Sequence, residues 1–158
     1  MGSWIVVLVV LSLMGSVFWV MPSTRDRLRM RLRQRAMSEG LKVRMPDQSL
    51  KERLIRYEDL VLGSMIYECL NFSHQAVQFS GGIYVLKGKD GSWVFVEESI
   101  PLGIDKKGVL NAAQSFPNSC GLFVLTSSSA LVFWNEQGEE KDVDTIKSVL
   151  EKLNVSMS

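Results

Sequence analysis

The chain has 158 residues, 46% of them hydrophobic and 22% charged, with 18 Lys and Arg against 17 Asp and Glu. It is too apolar for a disordered chain, and four Pro and twelve Gly exclude a low-complexity one, which leaves one domain or one domain with an appendage. Two Cys and a single His exclude a disulfide scaffold and an ordinary four-ligand structural zinc site.

The near-zero net charge conceals three blocks. Residues 1–24 carry no charged side chain; residues 25–56 hold eleven Lys and Arg against four Asp and Glu; residues 57–158 hold seven against thirteen. A neutral run, a basic block and an acidic block in that order describe a membrane protein better than a nucleic-acid binder.

The first predicted element is a transmembrane helix over 4–21, the uncharged run WIVVLVVLSLMGSVFWVM. At about 1.5 Å per residue it is roughly 27 Å long, close to a hydrocarbon core of about 30 Å. Trp4 and Trp19 lie near its two ends, where indole rings favour the headgroup zone. A cleaved secretory signal fits less well, because the segment lacks a basic flank before it and no A-x-A site follows. Ser12 and Ser16 form a small-xxx-small pair able to seat a partner helix.

The second element is an Arg-rich juxtamembrane helix over 22–40. Ser23 or Thr24 can cap it, strong helix formers fill it, and Gly40 stops it. Arg25, Arg27, Arg29, Arg31, Arg33 and Arg35 follow the apolar run closely, which expects the amino terminus outside and the domain in the cytoplasm, in a single-pass protein of the cell (inner) membrane. A reducing cytosol would then leave Cys69 and Cys120 as free thiols. Placed on a helix, the arginines flank an apolar stripe of Leu28, Leu32 and Ala36, so that the segment either lies on anionic lipid or only sets topology. Trp4, Trp19 and these six arginines are the expected membrane and lipid contacts. With no aromatic platform between the arginines and no recognisable module after them, nucleic acid is not the expected partner.

Residues 41–63 read as a connecting strand and helix: LKVRM alternates, Pro46 and Asp47 break it, and Ser49–Glu52 has capping-box form ahead of Leu50, Leu54, Tyr57 and Val61. Residues 64–154 read as a small α+β domain. Met65–Asn71 reads as a strand. IYVLK and WVFVE flank Gly88-Lys89-Asp90-Gly91, whose Asp-Gly is a hairpin signal. A short helix at 106–114 follows, then LFVLT and LVFWN across a serine run. A last helix carries Val143, Ile146, Val149, Leu150 and Leu153 on one face, with Asp142 or Asp144 as its cap. The ββαββα order predicts an antiparallel sheet with helices on one face.

Chemistry is scarce. His74 with Cys69 or Cys120 has no spacing that forces a nucleophilic pair, and no phosphate loop or dinucleotide motif is present, so no catalytic residue, cofactor or metal ligand is expected. The aromatics Phe79, Tyr84, Trp93, Phe95, Phe123, Phe133 and Trp134 read as core and cross-strand pairs. Alternation puts Phe133 and Trp134 on opposite faces, which makes Trp134 the expected exposed contact for a protein partner.

The opening of the chain, an uncharged segment running into Trp19-Val20-Met21-Pro22-Ser23-Thr24-Arg25 and then Arg27 to Arg35, resembles two groups. One is a set of uncharacterised proteobacterial single-pass inner-membrane proteins; the other is the YajC-type accessory subunit of the Sec translocase. The resemblance spans about the first 45 residues and rests on layout, and no functional residue carries over from it. The present chain departs from the YajC-type pattern in its longer, Trp-bearing domain. The expected function is a non-enzymatic, membrane-anchored protein-interaction or accessory module with its domain in the cytoplasm. The alternatives are a sensor of anionic lipid through the Arg-rich helix, and a Sec-type accessory subunit.

Overall fold

The computed structural model describes residues 2–20, 23–55, 61, 63–70, 81–96 and 104–155. Two compact units compose the chain, Met1–Met30 and Arg31–Ser158.

The first unit contains α1, Ser3–Val20, and the first turns of α2, Thr24–Ser38. Helix α1 is 18 residues long, and its large apolar side chains from Trp4 to Met14 are exposed. Among the described residues no helix is long and apolar enough to cross a membrane. That finding corrects the expected transmembrane helix over 4–21, and with it the single-pass inner-membrane placement and the outside-to-cytoplasm orientation drawn from it.

Helix α2 begins where Ser23 and Asp26 cap reciprocally. The Asp26 N–H donates to Ser23 Oγ at 3.2 Å, and that hydroxyl donates to Asp26 Oδ2 at 2.6 Å, which holds the Asp26 carboxyl below its usual range. The helix ends in a Schellman turn, with Leu41 N bonded to Ala36 O at 2.9 Å and Gly40 at φ 85°. A left-handed residue there is why the chain has glycine.

The second unit is an α+β fold around a six-stranded antiparallel sheet. Its strands are β1 Lys42–Arg44, β2 Met65–Leu70, β3 Gly82–Lys87, β4 Trp93–Phe95, β5 Cys120–Thr126 and β6 Ser129–Trp134, in the spatial order β1-β2-β6-β5-β3-β4. Its helices are α3 Gln48–Arg53, α4 Lys106–Ala113 and α5 Glu140–Val155, with the last turns of α2. The Asp-Gly turn closes β3 on β4 as the sequence indicates, and β5 returns as β6 across Ser127-Ser128.

Register arranges the core in two rows. Tyr67, Val132, Phe123 and Val85 are successive cross-strand neighbours on one face; Ile66, Phe133, Leu122 and Leu86 are neighbours on the other. Helix α5 lies against β6 and β2, and α4 against α5 and β4. The five apolar positions read from the α5 sequence are all buried. Trp93, Phe116 and Phe123 stack with ring centroids 5.2–5.7 Å apart beneath α4.

The opposite face is covered too, which corrects the expectation of helices on one side. Leu54, at the end of α3, and Val61 close a cluster with Ile66, Leu122, Val124, Leu131 and Phe133, and Leu50 packs on it. Helix α3 starts two residues earlier than the Ser49 reading, because Asp47 accepts from Leu50 N at 3.0 Å and caps it. Of the rest of the helix read across Tyr57, residues 56–60 lie outside the described residues.

Candidate functional site

The six arginines do not act as one row. Arg25, Arg27 and Arg31 are exposed and Arg29 is half-buried, whereas Arg33 and Arg35 turn to the domain. Helical geometry explains the division, because Arg33 and Arg35 flank the side of α2 on which Leu32 and Ala36 are fully buried. Arg33 Nε and Nη2 donate to Glu136 Oε1 and Oε2, both at 2.7 Å. Arg35 Nη2 donates to Asp144 Oδ1 at 3.1 Å and lies 3.3 Å from Glu39, which also receives Lys147 Nζ at 3.0 Å. Arg33 and Arg35, expected as lipid contacts, are each taken by a carboxylate of the same chain. Trp4 is exposed on α1, and Trp19 falls within the same helix.

Glu136 is the node of the second unit. Its carboxylate is only 2% exposed, and besides both Arg33 nitrogens it accepts from Tyr67 Oη at 3.0 Å. Its backbone sits at φ 58°, the left-handed region that a non-glycine residue enters at a cost of roughly 1–2 kcal/mol. The bidentate contact holds the Arg33 guanidinium protonated above its ordinary range, through the hydrogen bonds to Glu136. Burial first, then the Glu136 charge, pushes the Tyr67 phenol well above the ordinary value, so that it stays a donor.

Trp134 belongs to this node rather than to a surface. It is fully buried, edge-on to Tyr67 with centroids 5.1 Å apart, and its Nε1 donates to Ser119 Oγ at 2.7 Å. The expected exposed contact at Trp134 is corrected on that ground. Alternation places Trp134 and Phe133 on opposite faces as read, but both faces are covered. A second buried carboxylate, Glu68, accepts from Ser129 Oγ at 2.8 Å and from Arg44 Nε at 3.2 Å on the α3 side of the sheet.

Beside Ser119 an open depression of about 650 Å³ is lined by Phe116, Pro117, Asn118, Ser119, Asn135, Gln137 and Asp142. Several of its acceptors are engaged by the fold. Lys87 Nζ donates to Asn118 Oδ1 at 3.1 Å, Gln137 N to Asn135 Oδ1 at 3.0 Å, and Glu139 N to Asp142 Oδ2 at 2.8 Å.

Of the residues weighed for nucleophilic chemistry, His74 lies outside the described residues, as does Phe79. Cys69 is half-buried and Cys120 buried, and neither is in a disulfide. Burial raises both thiols, with Glu151 adding to the shift at Cys69. A thiol held protonated is a poor nucleophile. Among the described residues no group of three His, Cys, Asp or Glu side chains is placed to hold a metal ion.

No family model matches the chain. No curated protein matches it either. Among solved structures it is similar to the crystal structure of the mycobacterial trehalose monomycolate transport factor A, TtfA, at 11% identity and a TM-score of 0.49, over 82% of this chain and 93% of that one. A likeness at that level carries nothing about activity or ligand.

Proposed function

We infer that the chain is a non-enzymatic accessory module that engages a partner protein through α1. The observation that carries this reading is the surface of that helix. Ten large apolar side chains between Trp4 and Met14 are 48–79% exposed, with no charged residue among them. Leaving them in water costs on the order of 10 kcal/mol relative to burial. A helix that is apolar all round is stable only when apolar neighbours enclose it. A helical partner protein supplies such neighbours on several sides at once.

The non-enzymatic half of the reading is supported by the fate of the reactive groups. Among the described residues, both thiols are held protonated, and the buried carboxylates of Glu68 and Glu136 accept hydrogen bonds from fixed donors. A general base needs an accessible lone pair and a pKa matched to its task.

The test is photo-crosslinking of the full chain from Leu8 and Leu11, with Lys107 as a control position, followed by affinity purification. The expected result is one protein recovered in stoichiometric amount, crosslinked from α1 only, and lost in a Leu8→Asp/Leu11→Asp variant. Recovery of the chain alone, or a partner retained by that variant, overturns the reading.

A further inference from the structure

The attachment of α2 to the second unit differs in kind from that of α5. Helix α5 buries five apolar side chains against the sheet, whereas the segment Arg31–Ser38 buries two, Leu32 and Ala36. Three ion pairs join the segment to the rest of the unit as well. Arg33 meets Glu136, Arg35 meets Asp144, and Glu39 just beyond the helix meets Lys147. The segment ends at Gly40, whose left-handed backbone marks the point where it joins β1. Elements with few buried apolar contacts open at lower free energy than the core they rest on.

Charge decides what would lift it. Arg31 is exposed and lies one helical turn before Arg35, on the same side of the helix. The pair of Arg35 with Asp144 is itself open to solvent, with side chains 44% and 50% exposed. An anion captured by Arg31 therefore reaches Arg35 without any prior movement, and competes with Asp144 for it. Several phosphate oxygens presented together outmatch one carboxylate, because arginine binds phosphate by the same two-pronged geometry. Arg33 follows only if Glu136 gives it up, and Glu136 holds it in a left-handed backbone conformation that the contact helps to stabilise.

The geometry points to a releasable strap: residues 31–38 are held on the domain by carboxylates that a phosphate-bearing polyanion displaces, starting at Arg31 and Arg35. This device does not rest on the role given to α1 and fails or stands apart from it. Its ligand chemistry is shared by free polyphosphates and by phospholipid headgroups.

Hydrogen exchange on the full chain at low ionic strength tests it. Peptides covering the strap are compared with those covering β6. Tripolyphosphate in one arm and phosphatidylglycerol vesicles in the other are the probes. The expected result is about tenfold faster exchange of the strap with at least one probe, and no change in β6. A response to tripolyphosphate identifies free phosphates as sufficient; a response to vesicles alone identifies the lipid surface. The response should vanish in Arg31→Gln/Arg35→Gln. Glu136→Gln should speed strap exchange without any probe; if that variant does not fold, Asp144→Asn serves in its place, as its pair is exposed. No response to either probe, or strap and β6 exchanging together in every case, overturns the proposal.

Discussion

Arg33 and Glu136, 103 residues apart in sequence, meet through two parallel hydrogen bonds of 2.7 Å, and Tyr67 Oη donates to the same carboxylate at 3.0 Å. Removing one member leaves a buried charge or donor without its partner, which is the expensive way to break such a pair. Because the Arg33 side chain is 37% exposed, water offsets part of the loss. Arg33→Ala and Glu136→Ala are each expected to cost about 2–3 kcal/mol in urea unfolding. Glu136→Gly should cost about 1 kcal/mol less than Glu136→Ala, because glycine accepts the positive φ without strain. Equal midpoints for the two variants would show that the backbone there stores no strain.

The buried indole of Trp134 gives a second expectation. Ser119 Oγ is the acceptor for its Nε1 at 2.7 Å. Ser119→Ala removes that acceptor while leaving the ring in place beside Tyr67, and should destabilise the fold by about 1–2 kcal/mol. Quenching by iodide should leave the Trp134 contribution untouched in both proteins, measured with the other tryptophans replaced by Phe. Ready quenching in the wild type would contradict the burial.

Leu54 tests whether the α3 side of the sheet is core. It is buried in the cluster with Phe133 and Leu122. Leu54→Ala should cost about 2–4 kcal/mol, as for other core truncations. A cost below about 0.5 kcal/mol, the level of a surface substitution, would show that this face is not load-carrying.

The alkaline limb of stability follows from the raised acids. Burial lifts the Cys120 thiol above its ordinary value of 9.0, and Tyr67 above 10.0. Above those values the unfolded chain releases protons that the native chain retains. The contribution is therefore fully present below about pH 9 and is lost as pH rises toward the native values. Each such group takes up to about 1.4 kcal/mol per pH unit from stability in that window. Melting temperature should fall between about pH 9 and pH 10.5, and Cys120→Ala should flatten the first part of the fall. An unchanged slope in that variant would place the titration elsewhere.

What was legible in the sequence is what is local. The Asp90-Gly91 turn fixed the β3–β4 hairpin, Gly40 ended α2, and the spacing of Val143, Ile146, Val149, Leu150 and Leu153 marked the buried side of α5. The partners of Arg33 and Arg35 were not legible, because Glu136 and Asp144 lie more than a hundred residues downstream, beyond the reach of any periodicity. Trp134 was misread because alternation separates two faces without saying that both are covered. A signal for that existed. Leu-Phe-Val-Leu in β5 and Leu-Val-Phe-Trp in β6 are continuous apolar runs, and a strand buried on both faces reads as continuous rather than alternating. The Glu136 node left no local trace, since an isolated Glu after a strand is an ordinary surface residue until Arg33 and Tyr67 are brought to it.

The outermost strands, β1 and β4, are three residues each, flanking inner strands of six and seven. Among the described residues, a foreign strand docking laterally meets a ladder too short to zip along, and on the β1 rim it also meets Lys42 and Arg44. The most apolar strands of the second unit, β5 and β6, thereby lie inside the sheet rather than at a rim open to fibril-like stacking.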